Sequence, residues 1–161
     1  MKRFFILSAV LIVIAFGGVY AADNIGQTVT YQVSSIDEIS VNGNPGALVV
    51  NTAVPGSQPT AATDASTSYS ITTNNSSRKI TGNIDSAMPD ETALKVSLAA
   101  PTGGSSAGQV TLSTTAQDMV TGISTLAESG QSISYEFSAT LAAGIISSSQ
   151  RTVTLTIADG S

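Results

Sequence analysis

Six carboxylates, Asp85, Asp90, Glu91, Asp118, Glu128 and Glu136, are the side chains of this sequence best suited to reaction chemistry. Two of them, correctly spaced, would serve as acid and base on a glycosidic bond. Such sites also need aromatics that stack on sugar rings. Beyond residue 22 the chain offers only Tyr31, Tyr69, Tyr135 and Phe137, and it has no Trp. The expected role of the six acids is therefore solvation of loops and strand surfaces. Nucleophilic triads need a general base, usually His, and there is none. Zinc sites draw on His and Cys, and both are missing. Gly103-Gly104-Ser105-Ser106 lacks the following Lys and helix of a phosphate loop. No catalytic, cofactor-binding or metal-ligating residue is assigned, no cofactor is implied, and the chain is expected not to be an enzyme.

Calcium is the ligand least at odds with the composition, since it takes hard oxygens. Asn83, Asp85 and Asp90 lie close in sequence, as do Asp37 and Glu38. Neither group has the spacing of a calcium loop. Asn74-Asn75-Ser76-Ser77 holds two overlapping N-x-[ST] triplets, which arise easily in a chain this rich in Asn, Ser and Thr.

The elements that would position these groups are strands. Period-two alternation runs through Thr28–Val33, Ile39–Val41, Ser68–Thr72 and Arg78–Ile84. It recurs at Leu94–Leu98, Val110–Ser113, Ile133–Leu141 and Thr152–Ile157. Ala47–Val50 has the character of a more fully buried strand. Residues 55–67, with two Pro and a Gly among small polar residues, predict a loop, as do residues 101–108. The turn at Asn74–Ser77 suggests a hairpin between its flanking strands. Ile133–Leu141 and the last strand suggest a closing pair. Thr115–Ala127 is the single candidate for a helical turn, and Gly122 weakens it. Met119–Ile123 within it fits a strand or a turn. Tyr31, Tyr135 and Phe137 align with apolar neighbours, which predicts core positions. Eight to ten short strands with one wet face per sheet predict an all-β, immunoglobulin-like two-sheet sandwich. Uneven strand lengths fit a barrel less well.

Residues 1–21 have the layout of a cleaved secretory signal peptide. Lys2 and Arg3 precede an apolar run from Phe4, and Val19 and Ala21 suit cleavage after Ala21. The alternative is a retained anchor, but Phe4 to Val19 falls short of the roughly 20 residues a span needs. Residues 22–161 then form a single sandwich domain, long enough to bury a core. That part keeps four basic residues (Arg78, Lys79, Lys95 and Arg151) against all eleven acids, a formal charge of −7. Such a surface is unsuited to nucleic acid or anionic lipid. Without cysteine, stability must come from packing and backbone pairing.

The stretch Arg78-Lys79-Ile80-Thr81-Gly82-Asn83-Ile84-Asp85-Ser86-Ala87-Met88-Pro89, the strand Leu94-Lys95-Val96-Ser97-Leu98 and the terminal run Arg151-Thr152-Val153-Thr154-Leu155-Thr156-Ile157 carry a resemblance. They resemble small exported prokaryotic β-sandwich surface proteins of the fimbrial and biofilm-matrix subunit type. The resemblance implies a non-enzymatic structural subunit at the cell surface or in the extracellular space, with the periplasm as the alternative location, and with further copies of itself as its partner.

A physical argument points the same way. A sandwich has open sheet edges with unpaired N–H and C=O groups, which Lys and Pro usually blunt. The mature part holds only Lys79 and Lys95. Residues 22–33 fit either the first strand of their own sandwich or a strand added to a neighbour's edge. The alternative function is a secreted binding module for glycans or surface proteins, using loops 55–67 and 101–108 at one end of the sandwich.

Overall fold

The computed structural model describes residues 24–160. The expected signal peptide and its cleavage point lie outside them. The chain divides into an N-terminal unit ending at Val33 and a body from Ser34 onward. Residues 24–33 contain no strand.

The body is an all-β sandwich. Nine strands are present among the described residues: β1 (Asp37–Val41), β2 (Ala62–Thr73), β3 (Arg78–Ile84), β4 (Thr92–Leu98), β5 (Ser105–Ser106), β6 (Val110–Thr111), β7 (Gln117–Ile123), β8 (Leu126–Ala139) and β9 (Val153–Asp159). One sheet has the order β1-β2-β8-β4-β6 and the other β5-β7-β3-β9. Every ladder is antiparallel. The sole helical element described is a 3-10 turn at Leu141–Ala143.

The core follows from alternation. Side chains two apart share a face, so strands wet on one side alternate apolar and polar residues. Tyr69 and Ile71 of β2, Val96 and Leu98 of β4 and Ile133 of β8 are buried from one sheet. Ile80 and Ile84 of β3 and Met119, Val120 and Ile123 of β7 meet them from the other. Met119 and Val120 are consecutive yet both buried, which an unbroken strand forbids. Register shifts against β3 on both sides of Val120 resolve this, and Gly122 takes a positive φ of 72° within one of them. The expected helical tendency of Thr115–Ala127 is thus replaced by β7 and the start of β8.

Other expectations are also corrected. Thr28–Val33 alternates but forms no strand, and Tyr31 is 91% exposed rather than core. Ala47–Val50 forms no strand either; Leu48 and Val50 are half-buried and Val49 is exposed. Residues 62–67 belong to β2 instead of a loop. Their polar composition is accommodated by a register shift between Asp64 and Thr67, where the Asp64 carboxylate accepts the Ser66 N–H at 3.0 Å and hydroxyl at 2.8 Å. Residues 105–106 form the short strand β5 within the expected 101–108 loop. The Asn74–Ser77 turn does not close a hairpin. It carries the chain from β2 in one sheet to β3 in the other, with Ser77 at a positive φ of 54°. Likewise β9 pairs with β3, not with β8.

Candidate functional site

The six acids that could do chemistry are dispersed among local partners. Asp118 pairs with Lys79 at 3.0 Å across β7 and β3. Glu136 pairs with Lys95 at 2.9 Å and accepts the Gln109 amide at 2.9 Å. The Lys95 hydrogen bond, then that of Gln109, holds the Glu136 carboxyl below its usual range. Glu128 accepts the Thr102 N–H at 3.1 Å, Glu91 accepts the Thr140 hydroxyl at 2.8 Å, and Asp85 accepts the Thr152 N–H at 3.1 Å. Asp90 lies in the turn before β4, exposed. Among the described residues no three His, Cys, Asp or Glu side chains gather as a metal site would require. The pairs Asp37–Glu38 and Asp85–Asp90 do not converge into one.

The two loops assigned to ligand binding lie at opposite ends of β8. Gln58 Oε1 accepts the Leu141 N–H at 2.9 Å, just past the C-terminal end of that strand. Thr102 is held by Glu128, near its N-terminal end. Fourteen residues of strand separate the ends by roughly 45 Å at about 3.3 Å per residue. A depression of about 410 Å3 beside Gln58, Pro59, Glu91 and Thr140 is wide open. The loops do not form one binding face.

What the molecule does display is apolar surface with strand periodicity. In residues 24–33, Ile25 is 94% exposed, Val29 74%, Tyr31 91% and Val33 80%. All four lie at odd positions, so one side of an extended chain carries them. Large apolar side chains this exposed and this regular are informative, where scattered ones are not.

The body supplies sheet margins. β5 and β6 have two residues each. On the other side of the sandwich the margins are β1 and β9, which lie next to each other. Val153, Leu155 and Ile157 face inward opposite Ile84, Gly82 and Ile80, but all three are only half-buried. Ile39 of β1 is half-buried and Val41 is exposed. Arg78 closes one end of this seam by pairing with Asp37 of β1 at 2.9 Å and with Asp159 of β9.

The start of the body is fixed by the Asn74–Asn75 turn. Asn74 Oδ1 accepts the Ile36 N–H at 2.8 Å, and its Nδ2 donates to the Ser34 carbonyl at 2.8 Å. Asn75 Nδ2 donates to Ser35 Oγ at 2.8 Å and to Asp37 Oδ2 at 3.1 Å. The two Asn of the overlapping N-x-[ST] triplets use their amide nitrogens to hold residues 34–37. The long sequence separation hid this contact. The only hint was an Asn pair at a turn, which is a common side-chain-to-backbone bonding site.

No family model, curated protein or solved structure matches this chain. The sandwich itself and its displayed apolar row are therefore the basis for a functional reading.

Proposed function

We propose that this protein is a non-enzymatic, exported structural subunit of a cell-surface filament or extracellular matrix, and that residues 22–33 of one copy add as a strand to an open sheet edge of the next. The observation that carries this is the exposed odd-numbered row Val29, Tyr31 and Val33 on a segment that, among the described residues, contains no strand. An extended segment offers backbone hydrogen bonds to an edge, and alternate side chains offer burial. Burying each Val fully contributes about 1.5–3 kcal/mol. Donor and acceptor are different surfaces, so the contact is head-to-tail and propagates into a filament. An immunoglobulin-like arrangement of the sandwich suits this use, because such sheets have free margins. The signal-like residues 1–21 support export, and the low cation content leaves edges unblunted.

A binding module is the alternative. It draws less support, because its two loops sit at opposite ends of β8. Negative-stain electron microscopy of the exported protein tests the proposal. Filaments are expected for the full mature chain and not after deletion of residues 22–33; monomers under all conditions would overturn it.

A further inference from the structure

We infer that β9 is the acceptor strand, with Tyr31 of one copy lying beside Leu155 of the next. This rests on the strand-donation reading above and adds the site at which donation occurs.

Four margins are available, and three are poor acceptors. β5 and β6 each offer two residues, too few to hold a six-residue segment. β1 offers five, but its inward row contains only two apolar residues, Ile39 and Val41, and Asp37 is already engaged by Arg78, Thr73 and Asn75. β9 offers seven residues, Val153–Asp159, with neither Lys nor Pro to block pairing. Its ladder among the described residues is to β3 alone.

The two rows match on both faces. Val29, Tyr31 and Val33 have the spacing of Val153, Leu155 and Ile157. In either strand direction a register centred on Tyr31 opposite Leu155 places all three apolar pairs on the core side. That side is where β9 is incompletely covered and where Val41 stands exposed across the seam. The same register puts Thr30 opposite Thr154 or Thr156 on the wet face, where Thr pairs are favourable. A shift by one residue would turn every apolar side chain outward.

The absence of cysteine makes the test clean. The double variant Y31C/L155C, in the full mature chain, should yield a ladder of disulfide-linked oligomers under mild oxidation, because opposed strand residues lie within disulfide reach. Y31C/I39C, which targets β1, should not. In parallel, hydrogen exchange on the unaltered protein should slow at residues 153–159 on assembly. Should the double variant fail to fold, that measurement decides alone. Filaments without the ladder and without added protection of β9 overturn the acceptor and leave strand donation standing. A cross-linked species that stays monomeric, or a ladder from Y31C/I39C instead, also overturns it. No filaments at all overturns both proposals.

Discussion

The Ile36 N–H donates to Asn74 Oδ1 at 2.8 Å, and the Asn74 amide donates back to the Ser34 carbonyl at 2.8 Å. This reciprocal pair, extended by Asn75, fixes the backbone just after the exposed N-terminal segment. In the N74A/N75A variant the amide of Ile36 should exchange faster, with a stability loss of about 1–3 kcal/mol from several modest hydrogen bonds. Hydrogen exchange and urea unfolding measure the two effects. Unchanged protection at Ile36 would show that the clamp is idle.

Truncating the displayed row should separate assembly from folding. Val29→Ser and Tyr31→Ser alter exposed side chains, so monomer stability should stay within about 0.5 kcal/mol. Filament yield should fall sharply. Ile80→Ala and Ile133→Ala, at fully buried positions, should instead cost about 2–5 kcal/mol. Thermal unfolding together with light scattering distinguishes these classes.

Tyr69 ties stability to alkaline pH. Its hydroxyl donates to the Ala99 carbonyl at 2.5 Å, and burial, aided by the Glu128 charge, pushes its pKa up to about 12. The unfolded phenol ionises near 10.0. The folded state therefore holds its proton where the unfolded state has lost it. Stability should be intact below pH 10 and fall as pH rises from 10 towards 12. Burial also raises the Tyr135 pKa and adds to this loss. Tyr69→Phe should unfold about 1 kcal/mol more easily at pH 8 and show a shallower alkaline decline. Urea midpoints at pH 8 and pH 11 provide the comparison.

Asp37 has the opposite sign. The Thr73 hydroxyl at 2.6 Å, then Asn75 and Arg78, hold its carboxyl below the ordinary value of 3.8. Its contribution is present above that value and is lost as pH falls through the lowered one. Unfolding midpoints should drop on acidification below about pH 4, and Asp37→Asn should flatten that drop. An acid profile unaffected by the substitution would remove Asp37 from the account.

Much of the sandwich was legible because its strands are wet on one side. In β3 and β4 the fully buried positions are Ile80, Gly82, Ile84, Leu94, Val96 and Leu98, and in β9 the half-buried ones are Val153, Leu155, Ile157 and Ala158, the non-polar members of each alternation. What failed was local. Residues 62–67 are small and polar, and a bulge held by Asp64 lets them pair regardless. Pairing partners are not legible either, because neighbours in sequence need not be neighbours in a sheet. The Asn74–Ser77 turn crosses between layers, and nothing in its four residues distinguishes that from a hairpin. Tyr31 sits in an alternating run like Tyr135, so period alone predicted burial for both; only the presence of a paired strand beside Tyr135 separates them. The dispersal of the carboxylates is equally out of reach, since it depends on which lysines lie across each ladder for Asp118 and Glu136 and on distant threonines for Asp85, Glu91 and Glu128.

Arg78 joins the first residue of β1 to the last residue of β9. In a filament of the proposed kind, tension would enter a subunit at residues 34–37 and leave it through the strand carrying Asp159. Those two points share one guanidinium. The pull would then travel a short path along the flank, bypassing the buried interior, so that a stretched fibre would strain its bridges before it peeled open its subunits.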